Sequence, residues 1–110
     1  DYFIPFKITD VSTAGQVYVP VPDGGKIIKV ITALNGAIGT ADAVLTLKIG
    51  GAAVTGGTVT ITQSGSAAGD VDSCVPTAAN EVLEDDAIEI ETNGASSNAI
   101  SVDGVIIVRR

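Results

Sequence analysis

Hydrophobic and polar positions alternate along most of this chain with a period of two. Leu45, Leu47 and Ile49 alternate with Thr46 and Lys48, Val59 and Ile61 with Thr58, Thr60 and Thr62, and Ile88 and Ile90 with Glu89 and Glu91. Successive side chains of a β-strand point to opposite faces, so each run offers one face to a core and one to water. Phe3–Ile8, Gln16–Val21, Ile27–Leu34, Val71–Cys74 and Ala99–Val108 predict further strands. Between them stand turn residues: Asp23-Gly24-Gly25, Asn35-Gly36, Gly50-Gly51, Gly56-Gly57, Gln63–Gly69 and Asn93-Gly94. No window keeps apolar residues at helical spacing without a Gly, a Pro or a β-branched run interrupting it, and only Pro76–Asn80 has room for a single helical turn. About eight or nine short antiparallel strands with glycine turns predict an all-β fold, a sandwich or a barrel. No linker or internal repeat divides residues 1–110, so one domain is expected, with Gln63–Gly69 as a surface loop.

Three stretches depart from one-sided alternation. In Gln16–Pro22 the valines 17, 19 and 21 point one way while Tyr18, Pro20 and Pro22 point the other. Prolines cannot donate ladder hydrogen bonds, which predicts an edge strand whose second, apolar face is covered by a neighbour. Val105-Ile106-Ile107-Val108 is apolar on both faces, which suits a strand covered on both sides, by two layers of one chain or by another subunit. Asp103, Arg109 and Arg110 flank it as gatekeepers against aggregation. Residues 1–7 hold Tyr2, Phe3 and Phe6, three of the four aromatic rings, where chain ends are normally polar and frayed. Two readings stand open for them: an N-terminal arm that docks on a partner, or rings that close one end of the protein's own sandwich.

Composition narrows the chemistry. The stretch Gly51–Thr58 is close to a phosphate loop, but Gly57 stands where the Lys should be and an alternating β-branched run follows in place of a helix. Its glycines are expected to be turns at the ends of Ala52–Thr55. The chain has no His, which removes the commonest general base, every Ser-His-Asp and Cys-His arrangement and the usual zinc ligand set. The single Cys74 cannot form an intrachain disulfide and reads as a small buried apolar residue, consistent with a reducing compartment. Paired carboxylates are the remaining catalytic candidates, Asp70 with Asp72, or Glu84 with Asp85 and Asp86. The lack of Trp leaves no platform for sugar stacking, and no calcium-loop spacing is present. The expectation is a protein that is not an enzyme, with no cofactor and no metal.

Thirteen acidic against six basic residues give a net charge of −7, which repels polyphosphate, so no nucleic-acid partner is expected. No apolar run approaches the length of a membrane span and the start DYFIPFK has no basic segment, so neither membrane partner nor signal peptide is expected. There is no Met, so the chain is expected to begin downstream of its initiator.

The opening FIPFKITDVSTAG, the run from Ala41 to Ser97 and the closing VIIVRR resemble the head decoration, or cement, proteins of tailed bacteriophages. The likeness covers nearly the whole chain and rests on glycine turns and strand patterns rather than on catalytic residues. Where members carry EGD this sequence has Glu84-Asp85-Asp86, a change at one turn residue. The resemblance implies a β-sandwich of jelly-roll type, assembled as a homotrimer on the outer capsid surface of the virion. There it would bind the major capsid protein, bridge neighbouring subunits and resist internal DNA pressure. With it, Tyr2, Phe3, Phe6, Tyr18, Pro20 and Pro22 become the candidate partner-binding residues. The alternative is a head- or tail-fibre module recognising a host surface ligand through its glycine-rich loops, since a sandwich fold hosts many roles. A hydrolase acting through paired carboxylates is the third reading, and it requires Asp70 and Glu84 to share a cleft.

Overall fold

The computed structural model of the protein describes residues 1–110 and contains nine strands and no helix. In chain order they are β1 (Tyr2–Ile8), β2 (Gly15–Pro20), β3 (Gly25–Leu34), β4 (Ala43–Ile49), β5 (Ala52–Ile61), β6 (Val71–Cys74), β7 (Glu81–Val82), β8 (Ala87–Thr92) and β9 (Val102–Arg109). The pairs β4–β5, β3–β6, β2–β8 and β1–β9 nest inside one another like a single long hairpin. Alternate pairs fall in opposite sheets, giving a five-stranded sheet ordered β1-β9-β3-β6, with β7 added beside β3, and a four-stranded sheet ordered β2-β8-β4-β5. This is the jelly-roll arrangement of a β-sandwich.

The inner faces meet in one cluster of 23 buried residues. Period-2 burial explains membership: Ile4, Phe6 and Ile8 of β1, Leu45 and Leu47 of β4, Ile88 and Ile90 of β8, and Val102, Ile106 and Val108 of β9 all point inward. Phe6 is the one aromatic ring among them, and it lies over its cross-strand partner Gly104. A Cβ on Gly104 would come within 2.1 Å of the ring, so this glycine is what lets a phenyl group enter the core here. Buried Thr92 is satisfied by donating its hydroxyl hydrogen bond to the Val11 carbonyl at 3.1 Å.

The opening and closing strands bear on the two readings left open for residues 1–7, and the stretch is part of the sandwich and not a free arm. Residues 2–8 pair with β9 along their whole length, from Tyr2 opposite Val108 to Ile8 opposite Val102, as the edge strand of the five-stranded sheet. Alternation of Ile4, Phe6 and Ile8 with Phe3, Pro5 and Lys7 gave that stretch one face for the core, and the core took it. The two glycine pairs separate as well. Gly50-Gly51 forms the two-residue β4–β5 turn, with φ of 59° and 81° as a type I′ hairpin requires. Gly56-Gly57 lies inside β5 as a bulge and not at a strand end, and next to it the Thr55 amide donates to the Ala78 carbonyl at 3.0 Å. That contact extends Pro76–Asn80, where Ala78 bridges to Thr55 and no helical turn forms. The last predicted strand begins at Val102 and not at Ala99.

Candidate docking face

Each sheet turns one face to the core and one outward, and the two outward faces differ in chemistry. On the four-stranded sheet the cross-strand rows read Gln16, Glu91, Thr46 and Thr58, then Tyr18, Glu89, Lys48 and Ala53. Lys48 pairs with Glu91 at 3.3 Å. Two further rows, Pro20 with Ala87 and Val44 with Thr60, complete this face, whose centre is polar and where the apolar side chains of Tyr18, Pro20 and Ala87 gather at the β2 edge. On the five-stranded sheet the rows read Phe3, Ile107 and Lys29, then Pro5, Val105, Ile31 and Ser73, then Lys7, Asp103, Ala33 and Val71. Seven of these eleven side chains are apolar, and no element of the chain covers them. Phe3 is 68% exposed and Val71 65%. Ile31, Ala33, Val105 and Ile107 are half-buried by one another. This contiguous outward apolar patch is the candidate docking face of the chain.

At one end the face runs into a cleft of about 500 Å³ lined by Lys26, Ile28, Val82, Leu83, Arg109 and Arg110. A bulge between Ile27 and Lys29 turns Ile28 toward it, and Leu83 is the most exposed large apolar residue of the chain at 70%. The chain termini close this corner. The Tyr2 hydroxyl donates to the Asp23 carbonyl, the Arg110 guanidinium stands 5.0 Å from the Tyr2 ring centroid, and Arg110 also pairs with Asp23 at 2.7 Å. Arg109 pairs with Asp1 at 3.1 Å.

The six candidate partner-binding residues therefore part company. Phe6 is 8% exposed and belongs to the core, which removes it as an anchor. Tyr2 is half-buried under Arg110 and anchors the terminal clamp. Phe3 stands alone of the three N-terminal rings on the apolar face. Tyr18, Pro20 and Pro22 are exposed, but Tyr18 and Pro20 lie on the edge strand of the opposite sheet. Within the chain no element covers that second face of the edge strand. Pro5, Ile31, Ala33 and Val71 join this face without standing among the sequence candidates; for Ile31 and Ala33 the signal is the second, partly apolar side of Ile27–Leu34, and for Pro5 and Val71 no local pattern marks it. For Val105 and Ile107 the first of the two readings fails: they point away from the second sheet, and a second layer of the same chain does not cover them.

The carboxylate pair needed by the hydrolase reading is not formed. Gly69 and Asp70 hydrogen-bond to Leu34 at the end of β3, whereas Glu84 follows β7, which pairs with Gly25 at its start. A strand of ten residues separates them, about 30 Å at the rise of a β-strand. Asp70 and Asp86 each accept a backbone N–H of their own turn, from Ala67 at 2.9 Å and Leu83 at 2.8 Å. Burial, and after it the charge of Asp70, holds the Asp72 carboxyl above the ordinary carboxylate range. Hydrogen bonds from the Ser12 hydroxyl and amide and then the Thr13 hydroxyl hold Asp10 below it. Burial likewise pushes the Cys74 thiol up, away from thiolate reactivity. No group of three or more acidic or cysteine side chains is placed to share a metal ion.

No protein-family model matches the chain, and no curated protein matches it in sequence.

Proposed function

We propose that this chain is a structural, non-catalytic head decoration protein of a tailed bacteriophage, binding the outside of the expanded capsid and bridging its subunits. The outer surface of the virion is then its location and the major capsid protein its partner, with a homotrimer as the assembling unit. The observation that carries the reading is the uncovered apolar face of the five-stranded sheet, centred on Phe3, Val105, Ile107 and Ile31. A cement needs a rigid body with one adhesive side and one side that tolerates water, and a jelly roll with unlike outward faces supplies both. Repetition over a lattice multiplies weak contacts, so no deep pocket is needed. The resemblance of its glycine turns and strand pattern to those of cement proteins points the same way.

The deciding experiment is the copy number of this chain per purified particle, measured by quantitative mass spectrometry against the major capsid protein. Hundreds of copies are expected. A handful would assign the chain to a fibre or tail component, and none would withdraw the virion reading.

A further inference from the structure

The cations of this acidic chain are unevenly placed. Of its six basic residues, Lys48, Arg109 and Arg110 make ion pairs. The other three, Lys7, Lys26 and Lys29, make none, and all three are exposed on the five-stranded sheet. Register places their side chains on its outward face: Lys29 beside Ile107, Lys7 opposite Asp103, and Lys26 between Arg109 and Glu81, with no ion pair closed to either carboxylate. The unpaired lysines thus ring the apolar rows, in a chain whose net charge is −7. The lysines span seven residues of β9, from the row of Asp103 to that of Arg109, about 20 Å along the strand.

Resting on the decoration reading, we infer that the surface this face docks on is a protein surface bearing carboxylates around an apolar patch. Three occupants compete for an apolar face rimmed by lysines. Face-to-face packing of two copies would set these lysines against one another on the buried face, which like-charge repulsion opposes. A nucleic acid would find one exposed ring, Phe3, among β-branched side chains, and would meet the repulsion of the whole chain. An acidic, partly apolar protein surface satisfies both halves of the pattern, the apolar rows by burial and the lysines by opposite charge. Four strands at about 4.8 Å spacing and about 20 Å of length make a patch of roughly 300 Å². A standard interface buries about 800 Å² on each partner. One such contact is therefore weak alone and salt-sensitive, and holds when many copies are tethered.

The test uses expanded heads of the parent phage stripped of this chain, with binding followed by co-sedimentation between about 50 and 300 mM salt. The variant Lys7→Gln/Lys26→Gln/Lys29→Gln has the same net charge as a control, Gln16→Glu/Thr58→Glu/Thr60→Glu, whose changes lie on the opposite sheet. We expect the lysine variant to lose at least tenfold in affinity at low salt and to bind with little salt dependence, while the control stays within about twofold of the unaltered chain. Hydrogen exchange should show new protection on the heads in β1 and β9. Equal losses in both variants, or loss in neither, overturn the inference and leave the decoration reading standing. No binding by the unaltered chain overturns both, and preferential binding of the unaltered chain to duplex DNA or to anionic vesicles assigns the face to another class of partner.

Discussion

The two outward faces of this sandwich are built on the same kind of antiparallel backbone, yet the centre of one is threonine, glutamate and lysine and the centre of the other is proline, isoleucine and valine. Neither composition is needed for folding, because both sheets already bury their inner faces in a common core. A face that has no folding duty drifts toward polar residues unless something else keeps it apolar. On the proposed docking reading the apolar side chains around Ile107 serve association, whereas those around Ile106 serve stability. The contrast recurs within single strands, where neighbours in sequence serve different ends.

That contrast can be broken or sharpened by substitution. The largest effect is expected within β1. Phe6→Ala empties a buried aromatic site and should cost about 3–5 kcal/mol, while Phe3→Ala, three residues away and outward, should change stability by less than about 0.5 kcal/mol. Chemical denaturation of the two variants reads both. Equal costs would mean that Phe3 is part of the fold.

Next comes Gly104→Ala, whose added methyl must displace the Phe6 ring from a closed core, at roughly 1–3 kcal/mol. Combining it with Phe6→Leu should cost less than the sum of the two single changes, since the smaller side chain removes the clash. Strict additivity in a double-mutant cycle would show that the ring and the glycine do not compete for space.

A smaller effect on stability, with a large one on binding, is expected for the outer face. Val105→Thr with Ile107→Thr should lower stability by less than about 1 kcal/mol, because both side chains are only half-buried and threonine keeps the β-branched shape. Binding to expanded heads should fall at least tenfold. Intact binding would move the adhesive site elsewhere, with Tyr18 and Pro20 the next surface to test.

The smallest effect concerns Asp72, whose carboxyl is held above its ordinary range chiefly by burial. A raised folded-state pKa means that the neutral acid is preferred on folding, so the ionised form costs stability once pH exceeds both the unfolded and the folded values. Asp72→Asn should therefore stabilise the protein at pH 7 by a few tenths of a kcal/mol. The gain should vanish as pH falls below about 3.9, where the unfolded carboxyl also protonates. Thermal melts at pH 7 and pH 3 give the comparison, and a gain that persists at pH 3 would place its origin outside titration.

Strand periodicity was open to reading from the residues alone, because Leu45, Leu47 and Ile49 can satisfy a core only from one side of an extended chain. The Gly50-Gly51 turn was legible for a similar reason, since positive φ at both positions suits glycine. The Gly56-Gly57 bulge was not, as the same dipeptide serves a turn or a bulge and only the partner strand decides which. β7 escaped because two residues carry no period. Of the docking face, the sequence offered Phe3 and the two-sided apolar run of Val105–Val108, together with Phe6, Tyr2 and the Tyr18 edge, which the fold sends elsewhere.

What the residues determined by themselves was local: which positions share a side of each strand, where the chain turns, and that no histidine chemistry exists. What tertiary structure decided was which side of each strand meets the second sheet. Pairing of residues distant in sequence, Pro5 with Val105 and Val105 with Ile31, gathers single outward side chains into one surface. A period of two names two faces without ranking them, and where both are apolar only the packing of the second layer assigns one to the core and leaves the other facing outward.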